Sequence, residues 1–156
     1  WQKLSEAAQC ARCPEFWNLV QLAVETGMRR SELLNSRWGD VDLQSRLLHI
    51  PHTKNGSART IPLSERAVEL LQARITTGHD APFKLSPNAV RLAWDRLTKR
   101  AGIEDLHFHD LRHEAISRFF ERGLSVPEVA LMSGHKDYRM LSRYTHLRAS
   151  DILRKL

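Results

Sequence analysis

Hydrophobic positions recur at helical spacing along most of the chain. After Pro14, the segment PEFWNLVQLAVETG puts Phe16, Leu19, Val20 and Ala23 on one stripe, and Gly27 follows as a stop. Residues 31–37 read as a second, short helix with Ser31 in the N-cap position. RLLHIPHT and SARTIPL then read as two strands joined by Lys54-Asn55-Gly56, because Asn-Gly is a strong hairpin turn signal. Helical spacing returns after Pro62 with Val68 and Leu71, and is clearest over Pro87–Ala101. There Val90, Ala93, Trp94 and Leu97 share a stripe while Arg91, Arg96, Lys99 and Arg100 take other faces. Three more helices are predicted over 109–122, 126–132 (behind Ser125 as cap) and 138–147, with a short tail helix over 151–156. The fold class is therefore mainly α with a small antiparallel β-sheet.

Composition adds a partner to this picture. The 156 residues suit one domain with room for a real core. A net charge of +6 and a pI near 9.8 point to an anionic partner, and a polyanion is the commonest. No apolar run approaches the roughly 20 residues needed to cross a bilayer, so no membrane partner is expected. Cys10 and Cys13 form a lone C-x-x-C. A zinc site needs further ligands and a redox motif normally follows a strand, so the pair reads as two ordinary reduced thiols. Trp1 stands where an initiator Met would, so the chain is expected to be a fragment of something longer.

Candidate chemistry is concentrated in the last third, in HDLRHEAIS and SGHKDYRMLSRYTHL. His109 and Arg112 lie three apart in the first turn of a predicted helix, where free N–H groups and the dipole favour an anion. An arginine there can grip two phosphate oxygens in a fork, though pairing with Asp110 or Glu114 would explain it equally well. Upstream, TGMRRSELL offers Arg29 or Arg30 at a helix junction, and spacing alone does not choose between them. Glu32, three residues after Arg29, is placed to hold a guanidinium. Lys54 stands at the hairpin tip, where an ammonium can protonate a departing alkoxide or simply be solvated. Tyr144 falls on an apolar stripe with Met140, Leu141 and Leu147, so it fits the core as well as a site. A phenol is a poor nucleophile unless a base or a positive field activates it, and Arg143, His146 and His135 can supply that field. A metal site on His107, His109 and His113 is disfavoured by their spacing.

The ordered set TGMRRSEL, TKNGSARTIPL, HDLRH, SGH and RYTH resembles the catalytic domain of tyrosine recombinases, the phage integrase family, over most of the chain from Phe16 onward. The resemblance implies the fold of that catalytic domain, with residues 1–156 as a single unit and the family's amino-terminal clamping domain outside it. It assigns the catalytic positions to Arg29, Lys54, His109, Arg112, His135 and Tyr144, with Glu32 supporting Arg29. It further implies attack by Tyr144 on a scissile phosphate in double-stranded DNA, giving a 3′-phosphotyrosyl link and a free 5′-hydroxyl without metal, ATP or any cofactor. Expected partners are DNA and further copies of the protein, a homotetramer on synapsed sites, with the isolated fragment monomeric. The expected setting is the cytoplasm of a bacterium, on the nucleoid, with a bacterial or phage gene. A type IB topoisomerase and a non-cleaving DNA-binding regulator are the rival readings on this chemistry.

Overall fold

The computed structural model describes residues 1–9, 13–51, 57–75 and 78–145. The central element is α2 (Pro14–Thr26), which buries Phe16, Leu19, Val20, Leu22, Ala23 and Val24. Pro14 opens it, because a ring that lacks an N–H costs nothing in a first turn. Gly27 ends it in the left-handed conformation at φ 63°, donating its N–H to the Ala23 carbonyl. Two other helices pack on α2, namely α4 (Glu65–Ile75) and α6 (Asp110–Glu121).

Ahead of α2 lies α1 (Gln2–Gln9), which the hydrophobic pattern does not announce because its buried face is only Leu4, Ala7 and Ala8. It packs on α5 (Pro87–Ala101), whose Arg100 donates to the Ala7 carbonyl. Trp1 stacks on Trp17 beneath the Arg118 guanidinium and pins this corner. The expected stripe of α5 is buried at Val90, Trp94 and Leu97, while Ala93 is partly covered.

The sheet has three antiparallel strands in the order β1 (Val41–Asp42), β2 (Leu47–Ile50) and β3 (Arg59–Pro62). β2 and β3 are the predicted pair, in a register that sets Leu48 opposite Ile61 and Ile50 opposite Arg59. β1, too short to show a period, was not predicted from the sequence. Side chains alternate, so Leu48, Ile50, Arg59 and Ile61 all face inward. The predicted turn at Lys54-Asn55-Gly56, Cys10, the end of the segment after Tyr144 and the tail helix over 151–156 lie outside the described residues.

Two predictions need correction. The short third helix, α3 (Arg30–Asn35), is capped at Arg29, because the Glu32 carboxylate reaches back to accept the Arg29 N–H. Ser31 therefore lies inside that helix. The segment around Tyr144 is a 3₁₀ helix over Tyr138–Tyr144 instead of an α-helix. Of its apolar stripe, Leu141 is buried and Met140 exposed. The seventh helix, α7 (Val126–Ser133), starts after Ser125 as expected and packs against both β3 and the 3₁₀ segment.

Candidate active site

Three local devices build the site. The first is the break between α2 and α3. Gly27 is needed twice there: by its positive φ, and because a Cβ would come within 3.2 Å of the Phe119 ring. The sharp exit brings Arg29 out at the head of α3, and its guanidinium meets Glu32 at 3.0 Å. The freed Gly27 carbonyl accepts a 2.7 Å bond from Arg112 of α6.

The second device is a buried carboxylate. The Glu32 side chain is fully enclosed, and Arg59 grips it in a fork at 3.0 and 2.9 Å. Burial alone would raise its pKa. The bonds from Arg59 and from the Arg29 N–H outweigh that, and the carboxyl sits below its ordinary value. Arg59 also donates to the carbonyl of Met132 near the end of α7. It thereby joins strand β3, the Arg29 turn and the loop that carries His135. Sequence reasoning missed Arg59, although the strand's alternation puts it on the same inward face as Ile61.

The third device is the buried stripe of α6, formed by Leu111, Arg112, Ala115, Ile116 and Phe119. An arginine within such a stripe must find donors' partners indoors, and Arg112, 4% exposed, does so at Gly27. It pairs with neither Asp110 nor Glu114, whose bonds run to the His107 N–H and to Arg118. Burial, with Arg29 close by, lowers its pKa to about 10, so it remains a cation at neutral pH.

His135 follows Gly134, which closes α7 at φ 72° and has no space for a side chain, since a Cβ would stand 2.8 Å from the Arg59 guanidinium. Nδ1 of His135 lies 2.7 Å from the Ser133 hydroxyl and 3.5 Å from Arg112. Arg112 can only donate and so favours a lone pair on Nδ1. The Ser133 hydroxyl gives its proton to the Val129 carbonyl at 2.6 Å and so favours an N–H there; the two neighbours pull the tautomer in opposite directions. Burial, then repulsion by Arg112 and Arg29, pushes His135 down to about 4 and keeps it neutral. His109, the residue before α6, is lowered by burial and by His113 and Arg112.

Tyr144 closes the site from the 3₁₀ segment. Its hydroxyl hydrogen-bonds Nδ1 of His113, and its ring stacks between those of His113 and Phe120, with centroids 6.0 and 6.5 Å away. Burial raises the phenol pKa against the pull of Arg143 and Arg112. The His109 ring stands edge-on to His113 at 5.3 Å. Arg29, Glu32, His109, Arg112, His135 and Tyr144 are thus brought together, and Lys54 lies outside the described residues. A cleft of about 580 Å³ opens beside them, lined by Arg29, His109 and Arg112 and by Trp94 of α5. Two cations, neutral imidazole donors and a phenol beside a base are suited to holding a phosphate diester and displacing one of its esters.

Comparison with known proteins agrees. The chain is 50% identical over 139 residues to the shufflon-specific DNA recombinase of Escherichia coli, covering 88% of this chain and 36% of that protein. It thus spans little more than a third of that relative's length. A lambda integrase dimer bound to a COC′ core site superposes with TM-score 0.75 at 26% identity, over 92% of this chain and 45% of that one. The Tn1549 transposon integrase in complex with circular intermediate DNA shares the fold, with TM-score 0.80 at 18% identity over 99% of this chain and 61% of that one. With the phage integrase family model matching residues 6–151, from within α1 to beyond Tyr144, the chain belongs to the phage integrase family.

Proposed function

We propose that this chain is the catalytic unit of a site-specific DNA recombinase that works through a covalent tyrosine intermediate. The observation that carries the reading is the convergence of Arg29, Arg112 and His135 with the hydroxyl of Tyr144, already hydrogen-bonded to an imidazole. Tyr144 attacks the scissile phosphate of duplex DNA and leaves a 3′-phosphotyrosyl link and a free 5′-hydroxyl. Arg29 and Arg112 neutralise the non-bridging oxygens, and His135 donates to one of them. Glu32 keeps Arg29 aimed. Lys54 protonates the leaving 5′ oxygen, and His109 assists removal of the tyrosine proton. Attack by a 5′-hydroxyl from a partner strand reverses the chemistry. The ester bond energy stays in the covalent link, so neither ATP nor a metal has a step to perform.

The net charge of +6 suits a phosphate-dominated interface, whose binding falls steeply with salt. No helix among the described residues is long and apolar enough to cross a membrane. Pairwise exchange of strands requires four active sites, hence a homotetramer on two synapsed duplexes. The resemblance to a shufflon-specific recombinase makes shufflon DNA the first substrate to try.

The test is to incubate the protein with fragmented DNA, quench in detergent and sequence what remains covalently attached, with Tyr144→Phe alongside. Adducts on 3′ ends that cluster at few sequences and vanish in the variant are expected. Scattered adducts would instead indicate a topoisomerase, and DNA binding without any adduct a non-cleaving regulator.

A further inference from the structure

The mechanism above leaves one contact without a role. The Tyr144 hydroxyl bonds to His113, and among the described residues it makes no hydrogen bond to His109. His113 lies one turn after His109 on α6 and next to Arg112, so a rigid helix fixes its position relative to the phosphate-binding guanidinium. Its Nδ1 faces the phenol, while stacking against Tyr144 on one side and the edge-on His109 ring on another restrict its rotation.

We propose that His113 is a further catalytic residue, the immediate acceptor of the Tyr144 proton, with His109 acting behind it. This rests on the recombinase reading and adds to it the identity of the base. In the forward step the Tyr144 O–H proton passes to Nδ1 of His113 as the phenolic oxygen forms its bond to phosphorus. The bond from phosphorus to the 5′ oxygen breaks, and its electron pair leaves on that oxygen, which takes a proton from the general acid assigned above. Rejoining runs the same transfers backwards, and the His113 imidazolium returns its proton to the departing phenol. A base in this position answers a need the site creates, since burial raises the Tyr144 pKa and makes the unassisted phenol a poorer nucleophile.

The groups around His113 are His109 from the turn before α6, His135 from the loop after α7 and Tyr144 from the 3₁₀ segment, with the charges of Arg112 and Arg143 acting on the last two. The experiment is single-turnover adduct formation on a cleavable DNA over a pH series, comparing wild type, His113→Gln and His113→Ala, with DNA binding measured in parallel. Glutamine can hold the hydroxyl but cannot take its proton. Both variants should bind DNA normally and form adduct about a hundredfold more slowly, the scale of a lost general base. The deficit should shrink as pH rises, and also when Tyr144 is replaced by a ring-fluorinated tyrosine that ionises more readily. Cleavage within a fewfold of wild type would overturn the proposal. So would a deficit that ignores both pH and phenol acidity, because that is the behaviour of a packing residue. If wild type forms no Tyr144 adduct on any DNA, the recombinase reading itself fails, and this proposal with it.

Discussion

Around Glu32 the protein encloses a carboxylate between two guanidiniums and ties three segments to it, whereas Tyr144 rides on a half-covered 3₁₀ segment whose hydroxyl meets a single imidazole. The first region is part of the core: Arg59 and Arg112 occupy inward positions of β3 and α6 that would otherwise hold aliphatic side chains. The second is fastened by Leu141 below and by ring contacts at the side. On the proposed function, the groups that would receive a phosphate are fixed before DNA arrives, which is where electrostatic preorganisation is most effective. The proposed nucleophile sits on a 3₁₀ element, whose hydrogen-bond geometry is poorer than an α-helix's, so its position can be adjusted at small cost.

Substitutions can break this contrast. The largest effect is expected from Tyr144→Phe, which should abolish covalent adducts while changing the urea midpoint by less than about 0.5 kcal/mol of stability, as for a surface change. A marked loss of stability would mean that the tyrosine is a core residue after all. Next comes Arg59→Met, which leaves the buried Glu32 with Arg29 alone. Breaking such a pair costs about 3–5 kcal/mol, so the melting temperature should fall clearly and cleavage with it. Unchanged stability would show that the Glu32 cluster does not hold the site together.

Arg112→Lys should slow cleavage by about 10²–10³, the cost of losing a preorganised donor, because an ammonium cannot hold Gly27 and fork a phosphate at once. Single-turnover rates at saturating protein would check this, and a tenfold loss or less would deny Arg112 a direct role. Gly134→Ala forces a Cβ against the Arg59 guanidinium and a strained φ, for about 1–3 kcal/mol. Measured by urea unfolding, a neutral result would show that Arg59 can yield.

The smallest effect is a pH dependence. His135 is held near 4 in the folded protein against 6.5 in its ordinary state, and His109 is lowered too. Between those values the unfolded chain binds more protons than the folded one. Stability therefore rises with pH across that window and is lost as pH falls through it. His135→Gln should flatten the slope of stability against pH between about 6.5 and 4. An identical slope in the variant would sink the assignment.

Much of this was readable in advance, for reasons specific to each element. α2 and α5 carry long apolar stripes bounded by proline and glycine, and both form where the pattern puts them. α1 escaped because alanines carry little of its buried face, and β1 because two residues cannot show a period. The resemblance singled out Arg29, Glu32, His109, Arg112, His135 and Tyr144, and the fold gathers these six. It did not single out Arg59 or His113, whose importance comes from what they touch.

The sequence by itself determined the elements and the chemistry on offer. Periodicity is a local property, and the choice of arginine, histidine and tyrosine supplies the cations, imidazoles and phenol that suit a phosphate ester. Only the tertiary structure decided the pairings: that Arg112 holds a carbonyl 85 residues away, that Arg59 neutralises Glu32 and not a surface carboxylate, and that Tyr144 meets His113. Those contacts join residues far apart in the chain, and they form because a charged or polar group excluded from water must find its partner among whatever the packed helices bring beside it.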